Sequence, residues 1–208
     1  MRLPLHPISD CYGYDRGTPV DRIYIEAFLR CHRHDIHGHG AEIKTDGYLH
    51  RFGRDQIRHT TVIDVDPCNL QARLRADLSY PRSLPTGTFD CILLTQTLQL
   101  LADPAVALTN CHQALRSSGA LLVTVPCLGR ISPSSRLQDR WRFTPAGLWE
   151  LFRAWDGPVT VTGHGNLRVC LAALLGEAVE DLATTDLEYH DPDFPLVACA
   201  IAHRRGLP

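Results

Sequence analysis

Lysine is almost missing from this chain of 208 residues, because Lys44 is the only lysine among its 21 basic side chains. Long apolar runs are missing too, since none approaches the roughly 18 residues of a membrane-spanning helix. The formal net charge is −2 and the arginines are scattered. Neither feature favours an acidic membrane surface or a nucleic acid as a partner, so no membrane and no nucleic-acid partner is predicted.

The chain also lacks any C-x-x-C pair, although it contains eight cysteines. This absence excludes the zinc-ribbon and thioredoxin patterns. Several cysteines lie in apolar runs, such as Cys91 in FDCILL and Cys199 in LVACAIA, where buried free thiols explain them best. No charged-then-apolar leader opens the chain. We therefore expect a reducing, cytoplasmic location.

The organisation of the chain is that of one domain, because 44% hydrophobic residues over this length can bury one full core. Residues 1–18 are predicted to form an irregular arm, and residues 19–208 the domain. Strands are predicted at 41–43, 61–65, 74–78, 89–95, 120–126, 159–163 and 196–202, and helices at 20–31, 104–115, 145–154 and 167–182. Continuous apolar strands alternating with helices predict an α/β fold with a mostly parallel sheet covered on both faces.

Three acidic residues, Glu42, Asp64 and Asp77, fall near predicted strand ends, where ligands bind in such sheets. Asp64 follows Glu42 by 22 positions, close to the spacing of about 20 at which a strand-end carboxylate accepts both ribose hydroxyls. Asp77 is placed to meet an adenine amino group. Each acid taken singly is explained as a solvated loop residue, but the three in this order predict a nucleoside pocket.

One long segment carries a family resemblance: LPTGTFDCILLTQTLQLLADPAVALTNCHQALRSSGALLVTVP. Together with PVDRIYIEAFL before it and WRFTPAGL after it, it resembles class I S-adenosylmethionine-dependent methyltransferases, in particular small bacterial ones found with glycan or natural-product assembly enzymes. The likeness runs from about residue 19 to residue 202. It implies a Rossmann-like fold with seven strands in the order 3-2-1-4-5-7-6, the last one antiparallel, and S-adenosylmethionine as the cofactor.

The resemblance also implies which residues hold that cofactor. Glu42 would lie near the methionine amine, Asp64 at the ribose and Asp77 at the adenine. The turn after the first strand and the methionine end of the cofactor would be formed by Lys44, Asp46, Gly47, Thr95 and Gln96.

Lys44 and Thr45 stand where the resemblance predicts a glycine-rich turn. Glycine lets the backbone approach a ligand without a Cβ, whereas lysine adds bulk and a positive charge close to a sulfonium. Three interpretations stay open. Lys44 points to solvent or pairs with Glu42 or Asp46 and the cofactor binds; or Lys44 displaces the cofactor and acts as a base, proton donor or nucleophile; or the site is inactive and the degenerate cofactor loop marks a partner protein.

Residues 127–144 form a long connection, and long loops in compact domains are usually lids or binding loops. The segment supplies charged anchors and an aromatic wall for a substrate through Arg140, Trp141 and Arg142, although Trp141 is equally well explained as an anchor of the loop to the core. Helix 20–31 is expected to fold over the same opening and to add Tyr24 and Glu26.

A base is needed only where the methyl acceptor is a hydroxyl or an ammonium group. Asp139 and His164 are the candidate bases, and Lys44 is the third candidate catalytic residue. The histidine-rich segment 32–39 resembles a metal-binding tract, but a solvated loop is the preferred interpretation and no metal is predicted.

The sequence thus predicts an S-adenosylmethionine-dependent methyltransferase for a small-molecule acceptor, either a secondary metabolite or a sugar-containing compound. A second hypothesis is a methyltransferase-fold biosynthetic enzyme that does not transfer methyl, such as a cyclase, pericyclase or lyase. A third is a non-catalytic partner protein. A homodimer is left open.

Overall fold

A single seven-stranded sheet organises the protein in the computed structural model, which describes residues 4–206. Its strands are β1 (Gly38–Ile43), β2 (Ile57–Asp64), β3 (Leu74–Arg75), β4 (Phe89–Thr95), β5 (Leu115–Pro126), β6 (Val159–His164) and β7 (Val197–His203). The helices are α1 (Val20–Cys31), α2 (Pro104–Ala114), α3 (Pro145–Leu151), α4 (Leu167–Leu175) and α5 (Thr184–Glu188).

The strand order is β3-β2-β1-β4-β5-β7-β6, and only the pairs that β7 makes with β5 and β6 are antiparallel. This confirms the predicted order and the antiparallel last strand. Between β1 and β4 the chain switches from building one half of the sheet to building the other. Ligands bind open α/β sheets at the carboxyl ends of the strands beside such a switch point.

The sheet is covered on both faces because its central strands are apolar on both sides. Alternate residues of a strand point to opposite faces. In β4, Ile92 and Leu94 join the buried cluster that includes residues of α2 and α3, whereas Cys91 and Leu93 join the cluster that includes residues of α1 and α4. The expectation of an α/β sheet with helices on both faces is therefore confirmed.

Most predicted elements are present, with differences at their ends. α1 and β4 have the predicted bounds. β3 is only two residues long, shorter than the predicted strand 74–78. The predicted helix 167–182 is wrong in its length, because α4 ends at Leu175 and α5 follows separately. Gly176 ends α4 in a left-handed conformation with φ of 76°, as is common at helix C-termini.

The arm before α1 contains neither helix nor strand in residues 4–18, but it is fixed to the domain. The backbone N–H of Ile8 donates to the Leu175 carbonyl at 2.7 Å. The Arg16 guanidinium pairs with the Asp181 carboxylate at 2.8 Å. The arm therefore lies against the segment that follows α4, close to the carboxyl ends of the sheet.

The eight cysteines are free thiols, and four of them are buried, namely Cys91, Cys111, Cys170 and Cys199. Burial raises the pKa of the Cys111 thiol to about 12, so this group stays protonated and packs as a small apolar side chain. Within residues 4–206, no helix has the length and apolar character needed to cross a bilayer.

Candidate functional site

An open cleft of about 720 Å³ lies at the carboxyl ends of β1 and β4. Tyr14 of the arm and Arg22 and Glu26 of α1 form the side of the cleft opposite the sheet. Five residues that the resemblance assigns to cofactor binding line it, namely Glu42, Lys44, Gly47, Thr95 and Gln96. The cleft thus occupies the position where an open α/β sheet binds its ligand.

A smaller cavity of about 260 Å³, which we call the inner cavity, adjoins the cleft. The two share several wall residues, including Arg22 and Gln96. The loop after β5 reaches the inner cavity through Arg130, Asp139 and Arg142. The predicted substrate loop 127–144 therefore contributes to this second space.

Glu42 is buried at the end of β1, and its carboxylate holds the turn that follows. Its two oxygens accept hydrogen bonds from the backbone N–H groups of Tyr48 at 3.4 Å and Leu49 at 3.0 Å. Burial raises the pKa of Glu42 to about 7, although these two hydrogen bonds oppose the shift. The position of Glu42 beside the methionine amine of a cofactor stays a prediction. The structure shows a role that was not predicted, because Glu42 fixes the turn that forms the wall of the cleft.

Lys44 follows β1 in a left-handed backbone conformation with φ of 69°. Glycine adopts this conformation without strain, whereas a side chain with a Cβ disfavours it. The lysine side chain is exposed and lines the cleft. Within residues 4–206 it forms no ion pair with Glu42, which is turned to Tyr48 and Leu49, or with Asp46, which pairs with His50 at 3.2 Å.

Asp64 is buried at the end of β2, and both of its carboxylate oxygens have partners in the chain. Asn69 donates from Nδ2 to Asp64 Oδ2 at 2.8 Å and also to the Lys44 carbonyl at 2.8 Å. The backbone N–H of Asp66 donates to Oδ1 at 3.1 Å. Burial alone would raise the pKa of Asp64, but these hydrogen bonds and the charge of Lys44 hold it below its usual value. Asp64, the residue predicted to bind the ribose, is thus hydrogen-bonded to the side-chain amide of Asn69.

Asp46 and Asp77 lie outside the set of residues that line the cleft. Asp46 accepts a hydrogen bond from Thr60 Oγ1 at 2.8 Å, and this contact is the main cause of its lowered pKa. Asp77 accepts the backbone N–H of Ser79 at 2.8 Å in the turn after β3. Their assignment to the cofactor stays a prediction.

Gln96 lies between the cleft and the inner cavity and lines both. Its backbone has a φ of 46°, and its N–H donates to the Thr124 carbonyl of β5 at 2.8 Å. The side-chain Nε2 is buried without a hydrogen-bond partner in the described part of the chain. The end of β4 therefore presents an unsatisfied donor at the place where the two spaces meet.

Asp139 and Arg142 form a two-bond ion pair inside the substrate loop. Arg142 Nη1 donates to Asp139 Oδ1 at 2.5 Å, and Nη2 donates to Oδ2 at 3.0 Å. The same Nη2 lies 3.3 Å from the carbonyls of Gly129 and Arg130. The pair thus ties one end of the loop to the other, and the role of Asp139 as a base stays a prediction.

Arg140 and Trp141 attach the loop to the segment that follows β4. Arg140 Nη1 donates to the Leu100 carbonyl at 2.7 Å, and Trp141 Nε1 donates to the Leu101 carbonyl at 2.9 Å. Neither side chain is part of the inner cavity wall. The contact of Trp141 is the one expected of a loop anchor.

The three remaining predicted residues lie in different places. Glu26 lines the cleft and accepts hydrogen bonds from both Nη atoms of Arg51, at 2.5 and 2.6 Å. Tyr24 is buried and donates its hydroxyl to the Leu187 carbonyl at 3.1 Å. His164 stacks on Tyr24 with ring centroids 6.2 Å apart, and burial lowers its pKa. Tyr24 and His164 line neither space.

Most wall residues of the inner cavity were not among the predicted site residues, and Tyr12 and Gln99 are two of them. Tyr12 belongs to the arm, whose irregular sequence gave no sign of a role. Gln99 lies in the short turn Leu98–Leu100. It follows Gln96 by three residues, and in helical turns this spacing brings side chains together, so the sequence did carry a signal.

The histidine-rich segment 32–39 makes ordinary polar contacts. His32 Nδ1 lies 3.6 Å from the Asp35 carboxylate, and His39 Nε2 lies 2.8 Å from Thr61 Oγ1. In residues 4–206, no group of three or more His, Cys, Asp or Glu side chains is arranged to hold a metal ion.

Known proteins share this architecture. A family model described as a methyltransferase domain matches residues 45–123. A SAM-dependent methyltransferase from Mesorhizobium loti aligns with a TM-score of 0.61 and 17% identity over 89% of this chain and 100% of that chain. One from Archaeoglobus fulgidus aligns with a TM-score of 0.58 and 14% identity over 88% and 94%. The cyclase SpnF aligns with a TM-score of 0.55 and 17% identity over 99% and 89%. No curated protein matches the sequence.

Taken with the strand order, these likenesses show that the chain has the Rossmann-like class I methyltransferase fold. The resemblance places the methionine end of S-adenosylmethionine at the turn after β1. A Cβ on Gly47 would meet only Thr45 Oγ1, at 3.6 Å, so the turn leaves space for that end of the cofactor. At the ribose end the Asp64 carboxylate is shared with Asn69.

Proposed function

We propose that this protein is an S-adenosylmethionine-dependent methyltransferase that acts on a small-molecule acceptor. The observation that supports this most is the position of the cleft, which opens at the carboxyl ends of β1 and β4 in a class I methyltransferase fold. The turn fixed by Glu42, together with Thr95 and Gln96, would hold the cofactor. When bound, the cofactor supplies a methyl group on a sulfonium.

Lys44 is compatible with this function because its ammonium is exposed. Water and salt screen the repulsion between an exposed charge and a cationic ligand far more than in a buried pair. The left-handed backbone of Lys44 also reproduces the conformation for which glycine is the usual residue. Of the three interpretations of Lys44, we favour the one in which it faces solvent and the cofactor binds.

The inner cavity supports a small acceptor. Its volume is about 260 Å³, close to the lower end of the roughly 300–1,000 Å³ range of small-molecule sites. Residues of the arm, of α1 and of the loop after β5 surround it, so an acceptor held there would be positioned next to the cleft. Positioning of this kind supplies a large part of the rate enhancement in group transfer.

Calorimetric titration with S-adenosylmethionine and with S-adenosylhomocysteine tests the proposal. We expect both to bind the wild-type protein. Failure of both to bind would refute methyl transfer. Lys44→Ala should bind S-adenosylmethionine with the same or higher affinity, because it removes a like charge. The matched control is Arg153→Ala, which removes an exposed cation in the turn after α3, outside the cleft, and should leave the affinity unchanged.

A second candidate function is a biosynthetic reaction without methyl transfer, such as that of a cyclase, pericyclase or lyase. Two observations favour it: the Asn69 amide covers the Asp64 carboxylate, and the cyclase SpnF has the same fold. Isotope-labelled S-adenosylmethionine distinguishes the two candidates. Binding of the cofactor with no transfer of label to any acceptor in a metabolite extract would favour the second candidate.

A further inference from the structure

Unsatisfied polar atoms are concentrated at the inner cavity. Five side-chain nitrogen or oxygen atoms in residues 4–206 are buried without a hydrogen-bond partner. Two of them still lie within 2.8 Å of an ion-pair partner, one on His112 beside Asp156 and one on Glu177 beside Arg168. The other three belong to wall residues of the inner cavity, and they are Arg22 Nε, Gln96 Nε2 and Gln99 Oε1.

This concentration indicates a bound molecule. Folded proteins satisfy the large majority of their buried polar groups, and a buried group left without a partner lowers stability. His112 and Glu177 have a charged partner within 2.8 Å, whereas the charged partner nearest to Arg22 Nε is Asp21 Oδ1, at 3.9 Å. The three atoms on the inner cavity are explained if a polar ligand completes them.

The hydrogen bonds of Gln99 show which atom of its side-chain amide is left for a ligand. Gln99 is only 7% exposed, and its Nε2 donates to the Gln96 carbonyl at 2.8 Å. This bond fixes the orientation of the amide and leaves Oε1 as the free acceptor. A ligand must therefore offer an O–H or N–H group at this position.

Arg22 and Gln96 present the opposite chemistry, because both offer donors. Arg22 Nη1 is held by the Tyr48 hydroxyl at 3.2 Å, whereas its Nε lies 3.9 Å from Asp21 Oδ1, too far for a hydrogen bond. A guanidinium nitrogen beside an amide donor suits a carboxylate, since charge-assisted hydrogen bonds to carboxylates are the strong ones.

The wall of the inner cavity carries other charged residues besides Arg22. Arg130 and Arg142 pair with Asp10 and Asp139, respectively, so the charges of these two cations are balanced within the chain. The remaining acid of the wall is Asp21. Burial raises the pKa of Asp21, although the charge of Arg22 opposes the shift.

We propose that the inner cavity binds a small carboxylic acid that also carries a hydroxyl or N–H group, with its carboxylate on Arg22 and Gln96 and its donor on Gln99. Acids of this class are also the methyl acceptors, and this second statement rests on the proposed function. Binding in the inner cavity does not depend on that statement.

Ligand-observed NMR and calorimetry without cofactor test the binding, with probes in matched sets. The charged probes are 2-hydroxybenzoate and lactate, each compared with its uncharged amide, 2-hydroxybenzamide and lactamide. Benzoate lacks the hydroxyl of 2-hydroxybenzoate. We expect at least one carboxylate to bind tenfold or more tighter than its amide, and 2-hydroxybenzoate to bind tighter than benzoate. If neither carboxylate binds better than its amide, the proposal is wrong.

Two variants locate the site. Gln96→Glu replaces the amide donor by a carboxylate and should weaken the binding of the carboxylate probes tenfold or more. The matched control Gln71→Glu changes an exposed glutamine outside the cavity and should bind the probes like the wild type. Gln99→Met should remove the preference for 2-hydroxybenzoate over benzoate. Unchanged binding in both Gln96→Glu and Gln99→Met would overturn the assignment. Circular dichroism confirms that each variant is folded.

The two proposals fail separately. If the carboxylates bind but S-adenosylmethionine does not, the inner cavity site stands and methyl transfer is refuted. If S-adenosylmethionine binds but no carboxylate does, methyl transfer stands and the acceptor class is wrong.

Discussion

Replacing Glu42 by glutamine tests how the wall of the cleft is built. Glu42 is 2% exposed, and burial raises its pKa from an ordinary 4.5 to about 7. Glutamine has nearly the same shape but no charge at any pH. The variant therefore separates the cost of burying a carboxylate from the packing of the side chain.

The sign of the pH effect follows from the direction of the shift. Between pH 4.5 and pH 7 the folded protein holds a proton on Glu42 that the unfolded chain has released. The free energy of unfolding therefore falls as the pH rises through this window. At about 1.4 kcal/mol for each pKa unit, the raised pKa of Glu42 costs on the order of 3 kcal/mol once the pH exceeds 7.

Urea unfolding of the wild type and of Glu42→Gln at pH 5, 6, 7 and 8 measures this effect. The free energy of unfolding of the wild type, minus that of the variant, should fall by about 2–3 kcal/mol from pH 5 to pH 8. Glu150→Gln makes the same change at an exposed site on α3 and should give a difference that hardly varies with pH. A constant difference for Glu42→Gln would refute the buried, proton-binding carboxylate.

Two further substitutions test the backbone and the packing around the cleft, both by urea unfolding at a fixed pH. Lys44→Gly should be about 1 kcal/mol more stable than Lys44→Ala, because the φ of 69° strains any residue with a Cβ; equal stabilities would mean that this backbone is not strained. Gly40→Ala should lower the free energy of unfolding by about 1–3 kcal/mol, because the new Cβ would lie 2.5 Å from Leu49 Cδ2. A neutral Gly40→Ala would show that the turn after β1 can shift away.

Secondary structure was predictable where the sequence pattern is continuous. β4 has the predicted bounds because a short, mostly apolar run of this length favours a buried strand over a helix. The predicted helix 167–182 failed because Gly176 ends α4 against the arm, where a Cβ would meet the Ser9 carbonyl at 2.7 Å. That contact joins residues far apart in the chain, and periodicity does not record it.

The candidate site was predictable in part. Glu42, Thr95 and Gln96 line the cleft because the carboxyl ends of neighbouring parallel strands meet at one edge of the sheet. Asp64 also lies at a strand end, but Asn69, five residues later, folds back over its carboxylate. A position at a strand end therefore predicts where a residue lies, but not which groups its side chain will bind.

The order of apolar and polar residues along the chain was enough to predict the layered α/β architecture and the edge of the sheet at which the cleft lies. Both follow from local periodicity and from the chirality of strand–helix–strand connections. Whether a polar atom is left without a hydrogen-bond partner depends on every neighbour that folding brings within about 3 Å. Only the folded chain could therefore assign the Asp139 carboxylate to Arg142 and leave Gln99 Oε1 without a hydrogen-bond partner in the described residues.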